Sequence, residues 1–282
     1  MSVLSKIADL TRVRVDHLLK KKSLVELQEM ALASRTPWDF VDQFASQKFP
    51  VIAEVKLASP SEGRLYSGDL NPVQLAESYL QNQCAAISVL TEPDFFSGSD
   101  LFLQSIREHF PQARLLMKDF VIDEAQIYQA RICGADCVLL IVALLEEEKL
   151  KRFYDLATSI GLSVLVEVHD EAELAIAYKL QPKILGINNR NLKTLQISLE
   201  TSRRLMALWK TWSAKKTYLI SESGLNYAED LCQLKVNSAV DGFLIGSSFM
   251  KAAQKGLFAS PGLALKNLLD ASEKLSQKPQ DS

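Results

Sequence analysis

The sequence lacks a long hydrophobic segment. Its longest wholly apolar run is residues 137–145, far short of the roughly 20 residues that a membrane-spanning helix needs. The first residues alternate apolar side chains with Lys6, Asp9 and Arg12, so they also lack the apolar centre of a secretory signal. We therefore expect a cytoplasmic protein with no membrane partner.

Cysteine and histidine are few and scattered. The four cysteines are Cys84, Cys133, Cys137 and Cys232, and the three histidines are His17, His109 and His169. No two cysteines form a Cys-x-x-Cys pair, and no histidine joins them at the spacing of metal ligands. The pattern favours buried free thiols in a reducing compartment and predicts no metal site.

Positive charge is not concentrated anywhere in the chain. The formal net charge is −2, and no basic run extends beyond residues 20–22. Binding to a phosphate backbone needs clustered positive charge, so nucleic acid is not expected as a partner. The composition, with 48% hydrophobic and 23% charged residues, is that of a globular chain with one large core.

Two opposite charges interrupt the first β-rich run. Residues 51–55 have the pattern of a buried strand, yet Glu54 and Lys56 share one of its faces because they are two residues apart. Burying an unpaired ion is costly, so the two are either paired with each other or arranged around a ligand. The small residues of 59–63 suit phosphate but are also ordinary turn residues. The stretch alone leaves both interpretations open.

From residue 49 onward, short β-rich runs alternate with helical stretches. The predicted strands are 51–56, 86–91, 114–119, 137–142, 163–169, 184–188, 217–221 and 242–245, and residues 263–275 form a closing helix. Capping residues, among them Asn71, Asp123, Asp170 and Ser198, precede several of the helices between the strands. Eight βα units in about 220 residues predict a (β/α)8 TIM barrel rather than an open doubly wound sheet. No glycine-rich dinucleotide fingerprint follows the first strand, which further disfavours the open sheet.

The chain before the barrel has helical periodicity. We predict that residues 1–48 form an N-terminal helical extension, that 49–276 form the barrel and that 277–282 are a polar tail. The apolar patch that docks the extension consists of Trp38, Phe40, Val41 and Phe44.

Polar and small residues recur at the carboxyl ends of six predicted strands, where these barrels place their active sites. They are Glu54, Lys56, Lys118, Glu167, Asn188, Asn189, Arg190, Glu222, Ser223, Gly224, Gly246, Ser247 and Ser248. Two lysines and three carboxylates around one cavity suit general acid–base catalysis on an anionic substrate. A lysine whose pKa is lowered by a neighbour, or a glutamate whose pKa is raised by burial, would exchange protons near neutral pH. The small residues after strands seven and eight indicate a phosphorylated, sugar-like substrate.

Six segments, in this order along the chain, resemble the indole-3-glycerol-phosphate synthase family. They are IAEVKLASPSEG (52–63), SVLTEPDFFSGS (88–99), MKDF (117–120), LVEVH (165–169), GINNRNL (186–192) and SESG (221–224). The resemblance runs through the whole barrel. It implies a tryptophan-pathway carboxy-lyase that converts 1-(2-carboxyphenylamino)-1-deoxyribulose 5-phosphate to indole-3-glycerol phosphate, carbon dioxide and water without a cofactor.

The resemblance also implies a role for each catalytic candidate. Lys118 would be the general acid at the ketone oxygen, and Lys56 would hold the anthranilate carboxylate and donate a proton during dehydration. Glu167 would be the base, or the carboxylate that stabilises the cationic ring. The residues that orient the lysines and the sugar hydroxyls would be Glu54, Asn188 and Glu222.

The remaining candidates would bind substrate. Arg190 is a possible second clamp for carboxylate, because a guanidinium binds carboxylate through two parallel hydrogen bonds. The residues that would hold the phosphate are Ser59, Ser223, Gly224, Gly246 and Ser247. The extension matches the helices that help to cover the barrel mouth in this family. We expect a monomer or weak homodimer, and no fused isomerase or amidotransferase domain because the barrel and the extension account for the whole length.

Three positions depart from the family pattern. The family usually has a basic residue at the positions of Leu57 and Met117, and often lysine at that of Glu62. Each change removes positive charge near a dianionic substrate, so we expect weaker electrostatic steering rather than lost chemistry. Leu57 lies on the strand face opposite Lys56, so its change is expected to affect the outside of the barrel.

Three side chains and two rival functions complete the prediction. His169 ends strand five on the face of Glu167, and we favour a structural or supporting role for it over a catalytic one. Phe95 and Phe96 form either a wall for the anthranilate ring or loop packing. A phosphoribosylanthranilate isomerase would need a cysteine–aspartate pair, and no cysteine ends a predicted strand. A catalytically silent barrel that serves as a binding subunit is the other alternative, although both Lys118 and Glu167 are present.

Overall fold

The structure is a computed structural model that describes residues 3–59, 63–65, 71–192, 194–213 and 216–277. Eight parallel strands form a closed barrel in which each strand pairs with the next along the chain and the last pairs with the first. The strands are β1 (Val51–Val55), β2 (Ala86–Leu90), β3 (Leu115–Lys118), β4 (Cys137–Ile141), β5 (Ser163–Val168), β6 (Ile184–Asn188), β7 (Tyr218–Glu222) and β8 (Gly242–Ile245). The predicted (β/α)8 barrel is confirmed, and every predicted strand end lies within one residue of the observed end.

Helices surround the barrel and precede it. They are α1 (Val3–Lys21), α2 (Leu24–Ala33), α3 (Pro72–Gln81), α4 (Asp100–His109), α5 (Glu124–Ile132), α6 (Glu147–Ser159), α7 (Glu171–Leu180), α8 (Glu200–Trp212), α9 (Ala228–Asn237), α10 (Ser247–Gln254) and α11 (Pro261–Ser276). Short helical turns occur at Phe44–Ser46, Pro93–Phe96 and Val142–Leu144, and Ala58–Ser59 pairs with Gly63–Arg64 after β1. No helix in the described part of the chain is long and apolar enough to cross a membrane.

Local capping explains where several helices begin. The side chains of Asn71, Asp123 and Asp170 accept hydrogen bonds from backbone N–H groups of the first turns of α3, α5 and α7, as predicted. The prediction for Ser198 was wrong, because the residue that precedes α8 is Leu199. Helix α10 was not predicted, since Gly246 and the two serines after it have the composition of a turn.

The barrel interior is apolar at its base and charged at its mouth. Inward-facing residues of the strands, such as Ile52, Leu116 and Leu165, form a buried cluster with Phe40 and Phe44 from the N-terminal extension. These aromatic side chains cover the apolar interior at the amino-terminal end of the barrel and remove it from water. The extension therefore docks on the barrel through Phe40 and Phe44, two residues of the predicted apolar patch.

Trp38 is an exception within that patch, because its side chain is 37% exposed. Its indole N–H donates to the Pro111 carbonyl at 3.1 Å, and its ring lies 4.9 Å from the Arg114 guanidinium and 5.7 Å from that of Arg35. Trp38 thus packs on the surface through cation–π contacts rather than in the core.

Asp136, just before β4, joins the extension to the base of the barrel. It is fully buried, and its carboxylate accepts hydrogen bonds from Arg35 Nη1 (2.7 Å) and the Trp38 N–H (2.8 Å) on one oxygen. The other oxygen accepts from Arg107 Nη2 (2.5 Å) and the Leu115 N–H (2.9 Å). Four donors from three separate segments therefore satisfy one buried charge.

The other end of the extension reaches the barrel mouth. Val3, Leu4 and Ile7 of α1 line the cavity there. Two turns further along the same helix, Arg14 Nη2 lies 3.4 Å from Asp119 Oδ1 and 3.8 Å from Glu92 Oε1. Since Asp119 directly follows β3, this ion pair ties α1 to the strand that ends in Lys118.

Candidate active site

The strand period places a charged layer directly above the apolar layer of the barrel. Residues two apart on a strand share a face, so each apolar inward residue is followed two positions later by a residue at the mouth. The pairs are Ile52 and Glu54, Leu116 and Lys118, Leu165 and Glu167, and Ile220 and Glu222. The charges thus lie at the carboxyl ends of β1, β3, β5 and β7, the end at which such barrels bind substrates.

All twelve residues predicted for the site line one cavity of about 350 Å³ at this end of the barrel. They are Glu54, Lys56, Ser59, Lys118, Glu167, Asn188, Arg190, Glu222, Ser223, Gly224, Gly246 and Ser247. Ser248 also lines it. The central residues of the predicted phosphate loop, 60–62, including Glu62, lie outside the described residues.

Lys118 is the centre of the charged layer. Its Nζ lies 3.6 Å from Glu222 Oε2, 3.7 Å from Glu167 Oε2 and 4.0 Å from Glu54 Oε2. Lys56 Nζ lies 2.8 Å from Glu54 Oε1. The two possibilities for Glu54 and Lys56, an ion pair or a ligand site, therefore coincide, because the pair itself lines the cavity.

The lysine does not have the lowered pKa that was considered from the sequence. Burial alone would lower the pKa of Lys118, but the carboxylates of Glu167, Glu222 and Glu54 outweigh burial and raise it above its ordinary value. Burial would raise the pKa of Glu54, but the two ammonium groups outweigh burial and lower it. Lys118 is accordingly a strongly held ammonium at neutral pH.

Glu222 is the carboxyl group whose pKa is raised. Burial and the neighbouring charge of Glu167 raise the pKa of Glu222 to about 8. Burial of Glu167 is instead outweighed by Lys118 and His169, which lower its pKa. The layer therefore combines Glu54 and Glu167, whose pKa values are lowered, with Glu222, whose pKa is raised. A glutamate with a raised pKa is one of the two alternatives considered for proton exchange.

Two glycines make room for these carboxylates, and the sequence had not indicated this role. A Cβ on Gly186 in β6 would lie 2.1 Å from Glu222 Oε1, and a Cβ on Gly246 would lie 2.7 Å from the Cβ of Glu54. Contacts this short require a neighbour to move. Gly246, predicted only as a phosphate ligand, thus also permits the observed position of Glu54.

We predict that Gly186→Ala displaces the Glu222 carboxylate from Lys118 and lowers kcat by about 100-fold, since misplacement near 1 Å can have that effect. Steady-state kinetics of Gly186→Ala, Glu222→Ala and the double variant measure the change. In the Glu222→Ala background the added methyl group no longer meets a carboxylate, so Gly186→Ala should have little further effect. Equal losses in both backgrounds would contradict this account.

The predicted phosphate corner has backbone geometry that suits an anion. Ser223 (φ 69°) and Gly224 (φ 80°) are consecutive left-handed residues after β7, and α10 begins at Ser247 after β8. Consecutive turn N–H groups and a helix N-terminus both favour negative charge. The buried Asn189, between two predicted site residues, braces this corner by donating to Ser221 Oγ and the Ser223 carbonyl, each at 3.0 Å.

Apolar side chains also line the cavity. Phe96 and Phe120 line it with ring centroids 6.0 Å apart, and Leu4 and Ile7 of α1 lie in the same lining. Phe96 therefore faces the cavity, which favours the wall interpretation for this residue, whereas Phe95 is not in the lining. A flat aromatic substituent of a ligand would fit against this wall.

Of the three residues that depart from the family pattern, the two that the structure describes do not line this cavity. Met117 is buried on the outer face of β3 and lines a second cavity of about 270 Å³ with Arg14 and Asp119. Leu57 is not in the lining of the mouth cavity, as expected from its strand face. The Met117 change therefore does not remove a charge from the walls of the candidate site.

A closed parallel barrel with a lysine–carboxylate layer at the carboxyl ends of its strands is the architecture of a (β/α)8-barrel enzyme, and the layer suits acid–base chemistry. The model of the family described as "Indole-3-glycerol phosphate synthase" matches residues 4–260. The chain belongs to this family.

Curated relatives agree over most of the chain. The indole-3-glycerol phosphate synthase of Polaromonas naphthalenivorans is 40% identical over 270 residues, which cover 94% of this chain and 98% of that protein. The synthase of Magnetococcus marinus is 46% identical over 221 residues, or 78% of each chain. The resemblance drawn from the motifs is confirmed.

Solved structures at low identity share the fold. Tryptophan synthase subunit alpha from Legionella pneumophila matches with a TM-score of 0.61 at 12% identity, over 84% of this chain and 99% of that one. 3-Hexulose-6-phosphate synthase from Salmonella typhimurium matches with a TM-score of 0.56 at 12% identity, over 80% and 99%. These likenesses support the barrel architecture alone.

Proposed function

We propose that the chain is an indole-3-glycerol-phosphate synthase, a carboxy-lyase of tryptophan biosynthesis. Its substrate is 1-(2-carboxyphenylamino)-1-deoxyribulose 5-phosphate, and its products are indole-3-glycerol phosphate, carbon dioxide and water. Membership of the family supports this activity. The observation that carries the mechanism is the Lys118 ammonium, which faces three carboxylates in one cavity together with Lys56.

Ring closure is the step that Lys118 catalyses. The ring carbon that carries the carboxylate attacks the ketone carbon, and the electron pair of the C=O bond moves to oxygen. The developing alkoxide is far more basic than an amine, so Lys118 protonates it despite its raised pKa. The ionised Glu167 carboxylate stabilises the positive charge left on the ring.

Decarboxylation and dehydration follow. The bond between the ring and the carboxylate breaks, its electron pair returns to the ring, and carbon dioxide leaves. Lys56 then donates a proton to the departing hydroxyl, and Glu167 removes a proton from the carbon beside the nitrogen. The enzyme gives two protons and receives one, so each turnover takes one proton from solvent, as conversion of a carboxylate to carbon dioxide requires.

The remaining residues bind and orient the substrate. Lys56 holds the anthranilate carboxylate before reaction, and Arg190 is its second clamp. The residues that orient the lysines and the sugar hydroxyls are Glu54, Asn188 and Glu222. The phosphate binds at Ser59, Ser223, Gly224, Gly246 and Ser247, and no cofactor takes part.

We predict that purified protein produces indole fluorescence when it meets this substrate, and that Glu167→Gln lowers kcat by about 10³-fold, within the range for a general acid–base group. Glutamine keeps the shape of the side chain but neither stabilises a cation as strongly nor accepts the proton. Glu147→Gln, on the exposed side of α6, is the control and should retain wild-type activity. A folded wild-type protein that leaves the substrate unchanged would contradict the proposed activity.

The two rival functions have less support. A phosphoribosylanthranilate isomerase would need a cysteine–aspartate pair, and no cysteine is among the described residues that line the cavity. A silent binding barrel would not need an intact layer of two lysines and three carboxylates.

We also propose the setting in which the enzyme works. Its partner is a small phosphorylated substrate, with neither nucleic acid nor membrane involved, and it is a monomer or weak homodimer. All four cysteines are free thiols, which supports a reducing compartment such as the cytoplasm. We propose residues 1–48 as the extension, 49–276 as the barrel and 277–282 as a tail, of which 278–282 lie outside the described residues.

A further inference from the structure

A histidine outside the predicted site lies directly behind Glu167. His169 directly follows β5 and lies two residues after Glu167, so its side chain is on the same face as that of Glu167. His169 Nε2 lies 3.2 Å from Glu167 Oε1, on the carboxylate oxygen opposite the one that faces Lys118. The imidazole is almost completely buried, with 6% of the side chain exposed, and it is not part of the cavity lining.

The imidazole is itself fixed from α7. Its Nδ1 lies 2.9 Å from Glu173 Oε2, and the same carboxylate oxygen accepts the backbone N–H of His169 at 2.9 Å. The Glu173 N–H in turn donates to Asp170 Oδ1 at 3.0 Å, within the cap of α7. One carboxylate therefore holds both the ring and the backbone of His169, which leaves the ring little rotational freedom.

We propose that His169 is a positioning residue, which holds the Glu167 carboxylate towards Lys118 and is itself held in place by Glu173. The proposal rests on the function given above, because it assigns a role to a residue that supports the same site. Negative and positive side chains alternate from α7 into the cavity, in the order Glu173, His169, Glu167 and Lys118.

The charge on the imidazole follows from its neighbours. The groups that face it are Glu167 on β5 and Glu173 on α7, while Lys118 and Glu222 face Glu167 from the other side. Burial alone would lower the pKa of His169, but the two carboxylates outweigh burial and raise it to about 10. The positive charge of an imidazolium is shared by both ring nitrogens, so it attracts both carboxylates: Nδ1 is within hydrogen-bond distance of Glu173, and Nε2 forms an ion-pair contact with Glu167.

This arrangement has a chemical use. Glu167 must remain ionised in a buried site, beside a Glu222 whose own pKa is raised. A second cation behind Glu167 supplements Lys118, whose proton is donated during ring closure. When Lys118 becomes neutral in that step, His169 keeps a positive charge against Glu167 and so limits the change in its basicity.

The first test is kinetic and uses Glu173→Gln and His169→Gln. We expect kcat to fall by about 10-fold in Glu173→Gln and by up to about 100-fold in His169→Gln, the range for residues that orient a functional group from behind. KM should change little, because neither side chain reaches the cavity. Without the imidazolium the pKa of Glu167 rises, so the acid limb of the kcat–pH profile should move to higher pH in His169→Gln.

The matched control is Glu171→Gln, which removes the same charge from the same turn of α7. In the wild type, Glu171 pairs with Arg204 and not with His169. It should leave kcat and the acid limb unchanged. A purely structural role for His169 would lower the thermal midpoint and the active fraction without moving the acid limb. Unchanged kinetics in both His169→Gln and Glu173→Gln would overturn the proposal.

The second test does not depend on activity. The protein has three histidines, so ¹⁵N-imidazole resonances can be assigned to His169 by their loss in His169→Gln. We expect both ring nitrogens of His169 to remain protonated from pH 6 to about 9, and the titration to shift to lower pH in Glu173→Gln. A neutral ring at pH 7 would overturn the proposal even if the enzyme is active. An inactive wild type with a protonated His169 would instead refute the proposed function.

Discussion

Lys118→Met is expected to lower kcat by about 10³-fold, the middle of the range for a general acid, while the barrel remains folded. Methionine replaces the ammonium with a thioether of similar length, so the proton donor to the ketone oxygen is lost. The three carboxylates around it lose their common cation, and we expect their pKa values to rise so that they take up protons more readily. Turnover at saturating substrate, followed by indole fluorescence, measures the loss.

Two companion variants separate charge from proton donation. Lys118→Arg keeps a cation among the carboxylates, but a guanidinium does not release its proton, so its kcat should also be far below that of the wild type. Lys151→Met removes a lysine from the exposed side of α6, where it pairs with Asp155, and should behave as the wild type. A loss of less than tenfold in Lys118→Met would show that the ammonium is not the acid.

Asp136→Ala is expected to have the largest effect on stability, lowering the free energy of unfolding by about 3–5 kcal/mol. The variant leaves the buried Arg107 guanidinium without its carboxylate and removes the acceptor of the Trp38 and Leu115 N–H groups. Because these donors belong to the extension and to the base of the barrel, the loss should loosen both. Urea unfolding monitored by circular dichroism and by tryptophan fluorescence measures the change.

An exposed aspartate provides the control for Asp136. Asp155→Ala on α6 removes an ion pair with Lys151 that is largely in water, and such pairs contribute roughly 0.2–1 kcal/mol. Asp136→Asn keeps the shape and part of the hydrogen bonding, so its loss should be smaller than that of Asp136→Ala. If Asp136→Ala is no less stable than Asp155→Ala, the carboxylate does not hold the extension to the barrel.

Local patterns in the sequence were enough to predict the barrel and the members of its site. The spacing of Glu54 and Lys56 identified an inward-facing charged pair on a strand, and the same rule applied to the ends of later strands placed Lys118, Glu167 and Glu222. A strand has a fixed period of two, so a polar residue that ends an apolar run faces a known direction. Closure of the barrel then brings these residues together.

Features that depend on distances between elements could not be predicted in this way. Nothing near Gly186 in the sequence indicates that the Glu222 side chain from the next strand fills the space beside it. The partners of Asp136 come from residues 35–38, 107 and 115, which only the folded chain assembles. The raised pKa of Lys118 likewise depends on three carboxylates from three strands, whereas the sequence allowed the opposite shift.

The most direct test of the proposed chemistry is to measure carbon dioxide and indole-3-glycerol phosphate together as the wild-type enzyme consumes 1-(2-carboxyphenylamino)-1-deoxyribulose 5-phosphate. Ring closure on the carbon that carries the carboxylate predicts that the two products appear in equal amounts and at the same rate. Consumption of the substrate without carbon dioxide, or no consumption by folded protein, would contradict the assignment of the lysine–carboxylate layer to this reaction.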